Sequence, residues 1–529
     1  MYKYIFRKYI VVIILSISCL YSCYEDKGNY DYTSINEIAI GNIQKEYSLK
    51  VGEEITIKPT LHSSMSNNNY TYEWVLTKYT IGNEVKYNHV WSTLKEWDNF
   101  SLGLPNGTHS LYYRVKDTST GVSWTSDVFS IKIFNDISAG FFILSEVNNV
   151  GRLDFINYYK DSLDLRLDIL NQIGTNLPSL NDPIGVACYS DGNSPFWGAT
   201  ATNGGQYATC IITKSGTYKL NPLDFSYEEL YNIKNSIFGA LPSDFYVKKI
   251  VYDLPGSVNP SNVLLVDNQN RIYSYNKSYR IYWTPDIYTN SLSDGTYVNV
   301  SSEVASISNA GAVFYDVDKK SFLRQAIRTT YSSYYSSDRE QEFDGLTFKY
   351  NDTGQDLVYI HGRPYEGNAT NMIYVVLKDI ATSEFFFGRF SIDGEQKSYN
   401  KINAQEFDKA KELVMTNNAT KKEIGNEFVY YRTDDNIYVY NIADNTNQVV
   451  YTAPSGHKIS KMKFITFGKW LDHLMIFTYD QSKPAESCGK LQVMEVKPVY
   501  GTLTLAEHNE EKLEWDGFGK IVDADWKSK

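Results

Sequence analysis

The sequence predicts an all-β protein: an immunoglobulin-type β-sandwich followed by a β-propeller of seven blades. Three observations predict it. Tyrosine is abundant, 45 of 529 residues, and aromatics reach 15%; with Val and Ile they favour pleated, half-buried surfaces. Short alternating apolar runs bounded by Asn, Ser, Thr and Gly recur along the chain, whereas long helical periods are few. From residue 136 onward these runs come in pairs, repeated seven times.

The chain opens on a segment that is read for targeting rather than fold. Lys3, Arg7 and Lys8 make a basic start, and Tyr9 to Ile17 is apolar. That run is shorter than the roughly 20 residues a membrane-spanning helix needs, so residues 1–22 read as a secretory signal. Leu20-Tyr21-Ser22-Cys23 resembles a bacterial lipobox, with Tyr21 bulkier than the usual residue there. The resemblance implies lipid attachment at Cys23 and anchoring through several acyl chains, which hold far better than one. The alternative is an ordinary signal peptide with an incidental cysteine. Glu25 and Asp26 follow directly, resembling the surface-export signal of Bacteroidetes lipoproteins, and residues 23–35 form a polar tether.

Residues 36–135 are predicted to form the sandwich. Tyr47–Val51, Glu54–Lys58, Tyr70–Leu76, Ser110–Val115 and Val128–Ile133 alternate like strands, with turn residues such as Pro105-Asn106-Gly107 between them. Tyr72 and Trp74 fall on one face, which makes Trp74 the expected core plug. Gly107 to Asp117 resembles the closing G-x-Y-x-V-x-D segment of PKD domains, with His109 where an aromatic is usual. Trp74 lacks the acidic W-D-x-G-D-G sequel of standard members, so the domain is PKD-like.

Residues 136–529 are predicted to form the propeller. The seven strand pairs begin at Gly140, Ala208, Asn262, Gly311, Met372, Glu427 and Leu474. A closed ring of such sheets removes exposed edges. Six or eight blades stay compatible with the spacing, and a tandem of sandwiches is the alternative architecture. Lys520–Trp526 is expected to pair back into the first blade and close the ring. Ser226-Tyr-Glu-Glu229 has the form of a capping box, and Asn403-Ala-Gln-Glu406 opens a similar segment through Met415; both predict helical insertions.

Composition narrows the function. Loss of the three basic signal residues takes the formal charge from −11 to −14, and no basic run appears; nucleic acid is therefore not an expected partner. Cys188, Cys210 and Cys488 are an odd set. A Cys188–Cys210 pair is one reading, and three buried small hydrophobes is the favoured one. The seven histidines lack ligand spacing, and neither H-E-x-x-H nor G-x-S-x-G occurs. No cofactor and no metal site is expected. Asp316, Asp318, Asp434 and Asp435 sit at predicted turns, where backbone bonding explains them. Three loops combine aromatic with small polar residues and supply the ligand-binding candidates Trp197, Tyr282, Trp283, Tyr331, Tyr334 and Tyr335. The competing reading packs these rings between blades.

Cys23–Tyr32 with Ile35-Asn-Glu-Ile38, the Gly140–Glu146 segment and Gly519–Asp523 together resemble the PKD-like lipoproteins of Bacteroidetes. The resemblance implies an outer-membrane, lipid-anchored protein facing the exterior, accessory to a SusC/SusD-type importer and binding a glycan or a peptide. A surface glycoside hydrolase or lyase with carboxylates in the propeller mouth is the alternative.

Overall fold

The structure is a computed structural model that describes residues 36–528, apart from 51–52, 66–68, 82–83, 105–106, 135–136, 191–206, 253–262, 277–280, 284–287, 308–309, 327–328, 330, 337–339, 364–370, 417–427, 467 and 499. The segment predicted as signal peptide and tether, Cys23 within it, and Trp197 lie outside the described residues, and of Trp283 only the backbone is described. Two compact units are present, one ending at Phe134 and the other carrying the rest of the chain.

The first unit is a PKD-like β-sandwich. Glu46–Lys50, Phe129–Phe134, Gly107–Asp117, Tyr70–Ile81 and Glu84–Ser92 lie side by side in one sheet, with Ser123–Thr125 on its flank. Two strand pairs, Ile38–Gly41 with Thr60–Ser63 and Glu54–Ile57 with Trp97–Ser101, complete it. Alternation along the strands sends Leu111, Tyr113 and Val115 inward, all 0% exposed. Trp74 is fully buried as expected and stacks on Trp97 with ring centroids 4.0 Å apart. Its indole N–H is satisfied by Leu94 O at 2.8 Å, which removes the cost of burying a polar atom. Asp117 ends the motif as a turn cap, Oδ1 accepting from Ser119 N at 2.8 Å.

The second unit is a seven-bladed propeller: seven sheets of three to five strands succeed one another among the described residues. All seven predicted pairs are the second and third strands of a blade. The first strands are Pro183–Ser190, Val247–Tyr252, Ala305–Ile307, Gln355–Arg363, Glu412–Val414 and His457–Phe464 for blades 2 to 7. Blade 1 takes its first strand from the end of the chain: Lys520–Lys527 pairs antiparallel with Ala139–Val147, Gly140 opposite Lys527. The expected clasp is therefore present. These first strands touch around the axis; between blades 5 and 6 the link is Met415 N donating to the Tyr359 hydroxyl at 3.1 Å.

Why the strands read as near-continuous apolar runs is now clear. Each blade is covered on both faces by its neighbours, as a parallel sheet is by helices. In blade 1, Phe142 and Leu144 face blade 2, where they meet Val186 and Ile211. The alternate residues Phe141 and Ile143 face blade 7, against Met475 and Phe477. Five further apolar clusters fill the remaining interfaces in order around the ring. Across the closing seam Trp526 packs edge-on against Phe141 and Trp470, centroids 4.9 and 5.2 Å away. Gly468, at φ 88°, lies so close beneath it that a Cβ would run into the indole.

The predicted helical insertions are corrected. Glu229–Tyr231 and Ile233–Ser236 are single 3₁₀ turns, and Ser226 Oγ bonds Asp224 Oδ1 (2.6 Å) instead of capping a helix. Gln405–Lys409 is likewise a 3₁₀ turn, and Glu412–Val414 starts blade 6. Both segments are too short for a helix to offset its nucleation cost, and Ser or Asn followed by Glu serves a turn equally well.

Candidate binding site

The predicted aromatic residues separate into packed and surface groups. Tyr282 is 1% exposed and belongs to the apolar interface of blades 2 and 3, its hydroxyl 3.1 Å from that of Tyr189. It has no surface to give a ligand; the packed reading holds for this ring. Tyr335 is 7% exposed, stacked on Tyr350 at 4.6 Å, with its hydroxyl donating to Ile392 O. Tyr334 is half-buried; its hydroxyl donates to Asp316 Oδ2 at 2.6 Å, and Lys319 Nζ lies 5.0 Å from the ring centre. Tyr331 is 41% exposed. Tyr334 and the edge of Tyr335 line an open groove of about 470 Å³ at the outer side of blade 4, with Lys319, Asn351 and Asp352.

A second cavity, about 310 Å³, lies at the hub, and no sequence motif pointed to it. The innermost strands build it. A bulge in the clasp, where the register shifts between Leu144 and Ser145, re-aims the residues that follow. Asp523 and Asp525 then face blade 2 while Ala524 and Trp526 pack toward blade 7. Asp523 Oδ2 accepts from Val186 N (3.1 Å), and Asp525 Oδ2 accepts from Cys188 N (2.9 Å) and from the Tyr252 hydroxyl. The two-residue period of one strand thus matches that of its neighbour, and side-chain carboxylates replace a backbone ladder between blades. Gly185 permits this approach, since a Cβ there would lie 2.9 Å from Asp523 Oδ2. Lys461 and Lys463 come in from blade 7 and Lys249 from blade 3, paired with Glu303 at 3.2 Å.

Burial and charge oppose each other here. For Asp523 burial favours the neutral acid, but Lys461 and Lys463 outweigh it and hold its carboxyl below the usual range. Asp525 goes the other way: burial pushes it up and Lys463 only partly opposes this. Lys463 is desolvated, yet the two carboxylates keep it firmly protonated. Further round the channel, burial and then the Arg363 charge push His361 down to about 3, against the pull of the Thr416 backbone.

Cys188, Cys210 and Cys488 are buried and in no disulfide. Cys210 stands opposite Ala187 and Cys188 opposite Thr209, so their side chains leave opposite faces of blade 2. Cys188 enters the blade 1–2 core and Cys210 the blade 2–3 core, which no disulfide geometry can bridge.

A family model for the PKD-like family matches residues 23–178, that is, the segment from Cys23 through the sandwich into blade 1. Among solved structures the chain is similar to a quinonprotein alcohol dehydrogenase-like protein from Bacteroides thetaiotaomicron, with 12% identity, 93% of this chain and 96% of that chain covered, and a TM-score of 0.44. It is also similar to YCF48 from Cyanidioschyzon merolae (10% identity, 65% and 94% covered, TM-score 0.34). A third likeness is to the Dos1 propeller (11% identity, 70% and 87% covered, TM-score 0.33). Likenesses this distant transfer none of those proteins' activities. No curated protein sequence matches the chain.

Proposed function

We propose that this protein is a non-catalytic, surface-exposed outer-membrane lipoprotein. It serves as an accessory subunit of a SusC/SusD-type importer and binds an oligosaccharide or a peptide. One observation carries the reading: the match to the PKD-like family begins at residue 23, the cysteine of the lipobox, where processing would start the mature chain. The acidic tether behind it and two cavities on a rigid propeller fit a binder held off the membrane. The test is a mild-detergent pull-down of the tagged protein from its native outer membrane, followed by mass spectrometry. Recovery of a TonB-dependent transporter and its partner lipoprotein in near-equal amounts is expected; recovery of the protein alone would sink the accessory role.

The hydrolase or lyase alternative draws on Asp523 and Asp525, whose surroundings push their proton affinities in opposite directions, a pattern that separates acid from base. Against it, Asp525 is 1% exposed, and its Oδ2 already accepts from Cys188 and Tyr252. Turnover of any polysaccharide that disappears in Asp523→Asn, with folding intact, would revive the enzyme reading.

A further inference from the structure

Four lysines line the hub cavity of a chain whose formal charge is −11. Lys248 and Lys249 come from blade 3, Lys461 and Lys463 from blade 7. Three have an acceptor at hand: Lys248 meets Asn270 at 3.4 Å, Lys249 meets Glu303 at 3.2 Å and Lys461 meets Asp523 at 3.0 Å. Lys463 differs. Its closest carboxylate oxygens, on Asp525 and Asp523, are 3.6 and 3.7 Å away, beyond hydrogen-bond distance. Blades 2 and 3 engage the Oδ2 atoms of both carboxylates, Val186 N on Asp523, and Cys188 N and the Tyr252 hydroxyl on Asp525. Both carboxylates lie within ion-pair reach, yet the Lys463 side chain stays 23% exposed, and an ammonium has three N–H donors, so one direction stays open to a further acceptor. The cavity beside Lys463 leaves room for an acceptor to arrive from outside, and the surrounding positive charges would attract an anionic one.

We propose that the hub cavity binds an oxyanion carried on a group about the size of one sugar ring, a uronate carboxylate or a sulfate ester, with Lys463 as the direct contact and Lys249 and Lys461 flanking it. The proposal rests on the binder reading above and gives it a chemical class: an acidic saccharide. Ile250 and Val304 in the same wall offer apolar surface to the C–H face of such a ring.

The experiment is calorimetric titration of the full chain with glucuronate, glucose 6-sulfate and neutral glucose. Saturable binding of one or both acidic sugars, and none of glucose, is expected; which of the two binds tells carboxylate from sulfate. Lys463→Met should weaken that binding by roughly tenfold or more, the loss of one charge-assisted hydrogen bond. That variant leaves two buried carboxylates short of a cation and could disturb the clasp. Lys249→Gln, whose partner Glu303 is 42% exposed, is therefore the second variant, with a smaller loss expected. Absence of saturable binding by both acidic sugars, equal binding of glucose, or binding unchanged in both variants would overturn the proposal. If the protein binds neither acidic sugar yet still recovers its transporter in the pull-down, the hub site fails and the accessory role stands.

Discussion

Tyr282 and Tyr334 are both tyrosines on short strands, and their surroundings give them opposite duties. Tyr282 keeps 1% of its surface and fills the seam between blades 2 and 3. Its replacement by Ala should cost about 3–5 kcal/mol, as for other large buried rings, read as a drop in denaturation midpoint. Tyr334 edges an open groove but bonds the buried Asp316; Tyr334→Ala should cost about 1–3 kcal/mol, less than the Tyr282 variant, by leaving that carboxylate oxygen unpaired. His361 gives the pH prediction. Its folded proton affinity is pushed down to about 3, below the unfolded value near 6.5, so between those values the unfolded chain binds the extra proton. The contribution is present above about pH 6.5 and is lost as pH falls toward 3. His361→Gln should therefore lose less stability than the parent between pH 7 and about pH 4.5, measured by urea denaturation at both.

The clasp Lys520–Lys527 is the element on which the ring depends. Without it Ala139–Val147 has a bare edge and the blade 1–7 core loses Ile521, Ala524 and Trp526. A chain ending at Gly519 should aggregate or unfold at a clearly lower temperature, because an unpaired, apolar strand is a template for association; calorimetry and light scattering would show it. Trp526→Ala in the full chain should cost about 3–5 kcal/mol. The clasp and the seven strand pairs were legible in the sequence because blades bury both faces of their middle strands, which leaves apolar runs that no loop needs. The first strands were harder to read: they carry charges such as Lys461, Lys463 and Asp525 toward the hub, and a strand with buried charges looks like a solvated one. The 3₁₀ turns were misread because a capping pattern does not report length. The hub cavity was illegible for a different reason. Its walls combine residues near positions 249, 304, 461 and 523, and only the closed ring brings them together. A signal did exist in Asp523-Ala-Asp525, two acids alternating among the apolar residues of 521–526 in the closing strand.

For the whole molecule, the proposed anchor gives the simplest prediction: Cys23→Ser should move the protein from the membrane pellet to the soluble fraction, checked by fractionation and immunoblot. The order in which the chain is made adds another consequence. A ribosome releases residues from the N-terminal end first, and the sandwich can mature as soon as its own strands exist. The propeller cannot. Its first blade is short of a strand until Lys520–Lys527 emerges, so the partner of Phe141 and Leu144 arrives only after the strands of all the other blades. Until then the nascent ring stays open, compatible with threading through a translocation pore. A stop that spares six whole blades but falls before Lys520 still leaves the ring unclosed. A reading-frame error that altered only Lys520–Lys527 would leave the ring as open as the loss of a whole blade.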